Sequence, residues 1–267
     1  MLLISVILAF VGLCLGSFVN ALVWRLHERK DWVRARSQCT HCGHVLAAKD
    51  LVPVFSWLYL RGKCRYCGKD ISWQYPAIEL AGGAVFVISY LFWPTSLSQG
   101  GNLVMFTTWL AAAVGLLALA LYDLKWMLLP NKIIYPTFAV AALGNVIYLL
   151  GFAPAKWHFL LSWLASIVVA SGVFLALFMM SQGRWIGFGD VRLGLITGTL
   201  LHSPGKSLLM IFLASLIGTI FVLPLLLAGK KALGAKLPYG PFLITASFIC
   251  VVWGDSLIDW YKKLFLP

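Results

Sequence analysis

Eight apolar runs constrain this chain more than any other feature: residues 2–24, 77–93, 103–122, 133–152, 159–181, 191–202, 207–228 and 241–253. Short breaks of proline, glycine or charge separate them. Most approach the roughly 20 residues a helix needs to cross about 30 Å of hydrocarbon. Inside lipid every backbone N–H and C=O must be bonded within the protein, so such runs become helices. Charged residues make up only 11% of the 267-residue chain, and its mean hydropathy is +0.90. A soluble domain carries about 25% charge. The expectation is an all-α polytopic membrane protein of about eight transmembrane helices. The sixth run is the shortest, and we expect it to be tilted or shielded by its neighbours. The first is too long and too weakly charged at its start for a cleaved secretory signal, so it reads as a retained helix.

The net charge of +12 is not spread evenly. Ten of the 21 Lys and Arg residues fall between Arg25 and Lys69, in one polar segment. A basic stretch beside membrane spans sets topology and meets anionic lipid headgroups, so membrane lipids rather than nucleic acid are the expected partners. Alternating the connections gives one side seventeen Lys and Arg and the other four, Lys156, Lys206, Lys262 and Lys263. The positive-inside rule places the rich side in the cytoplasm and both termini outside. The implied organisation is a first helix over 1–24, a cytoplasmic loop over 25–76 between helices 1 and 2, and a membrane-embedded bundle over 77–267.

Two C-x-x-C knuckles lie in that loop, Cys39-Thr-His-Cys42 and Cys64-Arg-Tyr-Cys67, with 21 residues between them. Each can aim two thiolates at one ion, and four thiolates satisfy tetrahedral Zn²⁺. Gly43 and Gly68 follow the second cysteine of each, where a tight turn brings the chain around the metal. Cytoplasmic placement opposes stable disulfides. A closed four-thiolate site leaves no position for substrate, so the zinc is expected to be structural. Cys14 and Cys250 lie in apolar runs and read as small buried hydrophobes.

Acidic residues are scarce. Of nine, Glu28, Asp31, Asp50 and Asp70 lie in the basic loop, and Asp255 and Asp259 lie toward the opposite face. Glu79, Asp123 and Asp190 remain at the expected cytoplasmic boundary. Asp123 follows the third run in ALYDLKWMLLPN, and Asp190 sits in Gly187-Phe-Gly-Asp190, read as a short polar turn. An ionisable group at such a boundary is a functional candidate by default. Two carboxylates sharing one proton can activate water and polarise a carbonyl. The alternative is that both aspartates merely cap helices or pair with Lys125 and Arg192. No Ser/His/Asp arrangement, H-E-x-x-H, Walker loop or dinucleotide fingerprint competes.

Six ordered blocks then carry a resemblance: GSFVNALVWRL at 16–26, the loop from SQCTHCGH to LVPVFSWLYLRGKCRYCG, ISWQYPAIEL, DLKWMLLPN at 123–131, GFGDVRLG at 187–194 and LPYGPFL at 237–243. Over most of its length the chain resembles the bacterial type 4 prepilin peptidases, membrane aspartyl proteases of the G-x-G-D kind. The resemblance implies that Asp123 and Asp190 are the catalytic aspartates. It implies a precursor pilin, or a pilin-like subunit of a type II secretion system, as substrate, cut after a glycine where its basic leader meets its apolar helix. It places the enzyme in the bacterial inner membrane with its active site toward the cytoplasm. Members with the four-cysteine loop also N-methylate the new N-terminus with S-adenosylmethionine. Gly62 and Glu79 fall in matching blocks and are the candidate cofactor-binding residues, and 237–243 is expected near the scissile bond. Two rivals stand beside this reading. One is a proton-coupled transporter using the boundary aspartates, the other a membrane-anchored zinc module that only binds partners.

Overall fold

A computed structural model describes residues 1–31, 36–229 and 237–265. The basic residues Arg34, Lys230, Lys231 and Lys236, counted in the charge bias above, lie outside the described residues. Among the described residues the chain is helical, with no strand beyond two isolated β-bridges. The helices are α1 (Leu2–His27), α2 (Phe55–Tyr59), α3 (Gln74–Leu91), α4 (Gly100–Trp126), α5 (Asn131–Gly151), α6 (Lys156–Ser181), α7 (Phe188–Leu201), α8 (Pro204–Leu227) and α9 (Gly240–Phe265). Each apolar run thus becomes a helix, and α2 is a short addition in the loop. Six of the helices are long and apolar enough to cross a membrane; α3, α7 and the short α2 are not among them. The chain divides into two compact units, Met1–Leu91 and Phe92–Pro267.

In the first unit α1 packs along α3 through small residues. A Cβ on Gly12 would come within 2.5 Å of the Gly82 carbonyl oxygen, and one on Gly16 within 2.7 Å of the Glu79 Cα. Lipid supplies little drive for helix association, so close backbone approach is what dispersion requires. The polar loop, the short α2 and the four cysteines lie between these two helices in sequence. The unit therefore takes in α3, which the sequence reading grouped with the later bundle.

In the second unit α7 is the central element, packed against α5, α6, α8 and α9. Leu193, Ile196, Thr197 and Thr199 are fully enclosed. Its 14 residues make a rod of about 21 Å, short of the hydrocarbon thickness, and its neighbours shield what it cannot span. Gly194 and Gly198 admit α6: a Cβ on either would meet the α6 backbone at 2.8 Å, at the Ala170 oxygen and the Ile167 Cα respectively. Hydroxyls close the far end, Ser162 donating to the His202 carbonyl at 2.7 Å and Ser166 to those of Gly198 at 2.9 Å and Ser203 at 3.3 Å.

Candidate active site and metal centre

Both boundary aspartates lie inside helices rather than in the turns where the apolar runs stop. α4 continues past Tyr122 to Trp126, because its backbone bonds run on until Met127 turns left-handed and donates its N–H to the Asp123 carbonyl at 2.8 Å. Asp123 thus sits one turn before the C-terminus of α4, and only 6% of it is exposed. Asp190 corrects the expected polar turn. Gly187 is the extended N-cap of α7, and the Asp190 N–H bonds back to its carbonyl at 3.1 Å. Asp190 is therefore in the first turn of α7, where the helix dipole favours negative charge.

The charge of Asp123 acts on the Asp190 carboxyl. A third segment meets Asp123. The Gly240 N–H donates to Asp123 Oδ2 at 3.0 Å, and a Cβ on Gly240 would stand 2.7 Å from that oxygen. The neighbouring Tyr239 lies within electrostatic reach of Asp190, its ring set edge-on to Phe174 of α6. Residues 237–243, expected near the site, thus supply a main-chain donor and the start of α9. The sequence reading did not single out Gly240; the LPYGPFL block that holds it was its only signal.

The candidate ion-pair partners are engaged elsewhere. Arg192 donates to the Asn131 side chain at the start of α5 and lies 4.7 Å above the Phe188 ring. The Lys125 ammonium stands over Trp126 at 5.2 Å. Among the described residues the ion pairs are Arg65–Asp50 and Lys206–Asp255, so neither aspartate is matched by a cation. Leu129 packs where a Cβ on Gly189 would fall, at 3.1 Å, which ties the GFGD turn to the segment leaving α4. The result is two carboxyls at two helix ends without a matching cation, Asp123 fixed by a backbone N–H, groups of the kind that acid/base chemistry on water can use.

The four loop cysteines converge. Their Sγ atoms all lie within 4.8 Å of one another, and Cys39 and Cys67 are 3.9 Å apart. Zn–S bonds of about 2.3 Å set the edge of a tetrahedron at about 3.8 Å, so the donor set is compatible with zinc. The knuckles are built alike. Gly43 donates to the Cys39 carbonyl at 3.0 Å and Gly68 to that of Cys64 at 2.9 Å, both glycines at φ +69°. The bridges Gln38–Val45 and Lys63–Asp70 hold each hairpin in the same register. Burial works against the Cys39 thiolate, but N–H groups of Cys42 and His41 and neighbouring thiols bring its pKa down to about 7.

Asp50, in the sequence only one of several loop acids, joins the two hairpins. It accepts from Arg65 Nε at 2.7 Å, the Tyr66 hydroxyl at 2.9 Å and the Ala47 N–H at 3.2 Å. Arg65 and Tyr66 are the two residues between Cys64 and Cys67, and Tyr66 also stacks on His44 with ring centres 3.7 Å apart. Burial pushes the Asp50 carboxyl up, yet the Arg65 guanidinium and these donors outweigh it and hold it below the ordinary carboxylate range.

Gly62 and Glu79 both belong to the first unit. Gly62, at φ +71°, donates its N–H to the Trp57 carbonyl and lies against the Trp57 ring, where a Cβ would come within 3.0 Å. Glu79, buried in α3, accepts the Val54 N–H at 2.7 Å.

The first unit and the second match different family models. The Bacterial Peptidase A24 N-terminal domain matches residues 10–93, and the Type IV leader peptidase family matches residues 110–223. Curated relatives named prepilin leader peptidase/N-methyltransferase are similar over nearly the whole chain. That of Bacillus subtilis (strain 168) is 30% identical over 97% of this chain and 98% of its own. That of Stutzerimonas stutzeri is 30% identical over 95% and 92%, and that of Aeromonas salmonicida 29% over 96% and 92%. No solved structure matches the chain.

Proposed function

Since the chain belongs to the type IV leader peptidase family, we propose that it is a membrane aspartyl endopeptidase that removes the leader of prepilins and pilin-like secretion subunits and then N-methylates the new N-terminus. The relatives and the family models all describe a peptidase, so proton-coupled transport has no support among them. The observation that supports the reading is the Gly240 N–H bonded to Asp123, with Asp190 in the first turn of α7 and subject to the Asp123 charge.

In this mechanism Asp123 and Asp190 are the catalytic pair and share one proton. The ionised carboxyl takes a proton from water, whose oxygen attacks the glycine carbonyl. The protonated one donates a hydrogen bond to the carbonyl oxygen, and the amine leaves with a proton as the C–N bond breaks. Gly240 fixes the Asp123 carboxyl, and residues 237–243 lie along the substrate backbone. Cleavage is assigned to the cytoplasmic side of the bacterial inner membrane, with both termini outside, on the charge bias read from the sequence.

Cys39, Cys42, Cys64 and Cys67 would hold a structural Zn²⁺, which supplies folding energy to the loop rather than Lewis acidity. Methyl transfer, with S-adenosylmethionine as donor, is assigned to the first unit around Gly62 and Glu79, and the partners are the precursor and membrane lipid.

The test is cleavage of a pilin-type precursor by the purified enzyme in lipid or detergent. Asp123→Asn and Asp190→Asn should each lower the rate at least 1,000-fold, about the scale of losing a catalytic group, with helix content unchanged. Full cleavage by both variants would remove the mechanism.

A further inference from the structure

Outside the aspartate pair, and among the described residues, Glu79 is the acid that the fold buries without a cation. It is 7% exposed, whereas Asp50, the other enclosed acid, has Arg65. The Glu79 carboxyl accepts the Val54 N–H, 2.7 Å from Oε2. That donor is neutral, and among the described residues no ion pair reaches Glu79. The loop turns hard to offer its donor: Val54 is β-branched and stands at φ +62°, a region such residues avoid.

Amides tie the same two helices together. Asn20 of α1, almost fully buried, donates to the Tyr75 carbonyl at 3.1 Å and accepts from the Gln74 side chain at 3.2 Å. Asn20 and Gln74 thus bring amides to the seam where α1 and α3 approach through their glycines. A carboxylate has about four acceptor positions, and the Val54 N–H fills one of them. Holding such a group in an apolar setting is costly unless a cation completes it.

The methyl-transfer step brings that cation, and on that reading we infer that Glu79 is the catalytic carboxylate that receives the α-amine of the trimmed substrate. The α-ammonium binds Glu79 and gives it one proton. The freed nitrogen lone pair attacks the methyl carbon of the sulfonium donor. A C–N bond forms as the C–S bond breaks, leaving a neutral thioether and a methylated ammonium. The proton on Glu79 then passes to water, so one proton is released per turnover. The chemistry commits Glu79 to the acceptor amine rather than to the donor.

The experiment uses the full-length enzyme, a pilin-type precursor and S-adenosylmethionine, and reads three quantities on each preparation: cleavage, the methyl mass increment on the product, and zinc per chain. Glu79→Gln should keep cleavage and zinc within about twofold and lose methylation about 10-fold at pH 7, where only about a tenth of a free α-amine is already neutral. Its methylation should recover as the pH passes about 8, where a free α-amine deprotonates by itself. Glu79→Asp should retain an intermediate rate. Wild-type methylation by Glu79→Gln overturns the inference. So does a loss that stays flat with pH or comes with lost zinc or lost cleavage, since either marks a structural role. A wild-type enzyme that cleaves but never adds a methyl group brings down the methyl-transfer reading itself, and this inference with it.

Discussion

At the scale of single residues, the geometry turns on small groups beside the acids. Gly240 is confined by Asp123 rather than by a turn, since a Cβ would intrude to 2.7 Å of Oδ2. Gly240→Ala should therefore displace the carboxyl and lower kcat about 10- to 100-fold, as misplacement on the ångström scale does. KM should change little, which steady-state cleavage kinetics would show. Asp50 makes a second prediction. Its carboxyl is held below the ordinary range in the folded loop, so the stabilisation is complete above the ordinary carboxylate pKa of about 4. It is lost as pH falls through the depressed value. The melting midpoint of Asp50→Asn should thus fall below that of wild type at pH 7, and the gap should close in acid below about pH 4. Cysteines and boundary aspartates were legible in the sequence because each stands out from an apolar or basic background. Gly240 and Asp50 were not, because one acts through its backbone and the other gains meaning only when Arg65 and Tyr66 fold onto it.

At the scale of helices, packing depends on glycines that face backbone. Gly194 on α7 and Gly16 on α1 each leave no room for a side chain before the neighbouring helix. Replacing either with leucine should force the pair apart, destabilising by about 1–3 kcal/mol or more. A lower melting midpoint in detergent is the readout, and the alanine variants should fall between. The positions of the helices follow from apolar runs of sufficient length. Their ends do not, because hydrogen bonding carries α4 on to Trp126 and starts α7 at Phe188, beyond the limits of hydrophobicity. That shift of a few residues puts both acids on rigid rods rather than in loops. Periodicity could not have shown it, since Asp123 and Asp190 are themselves the polar residues that end each run.

At the scale of the whole molecule, the four-cysteine loop and the long bundle fall in different compact units. A strong zinc chelator should release one ion per chain and expose the four thiols of Cys39, Cys42, Cys64 and Cys67 to alkylation. Residues 36–73 should lose protection from hydrogen exchange while α4 to α9 keep theirs. Retained protection in the loop after metal release would count against a structural ion. Within the bundle, α7 carries Asp190 at one tip, while Ser162 and Ser166 hold the carbonyls at its other end. A stiff rod fastened there cannot slide lengthwise without breaking those bonds. The serines thus act as a depth stop, fixing where Asp190 stands along the axis of α7 from its opposite end.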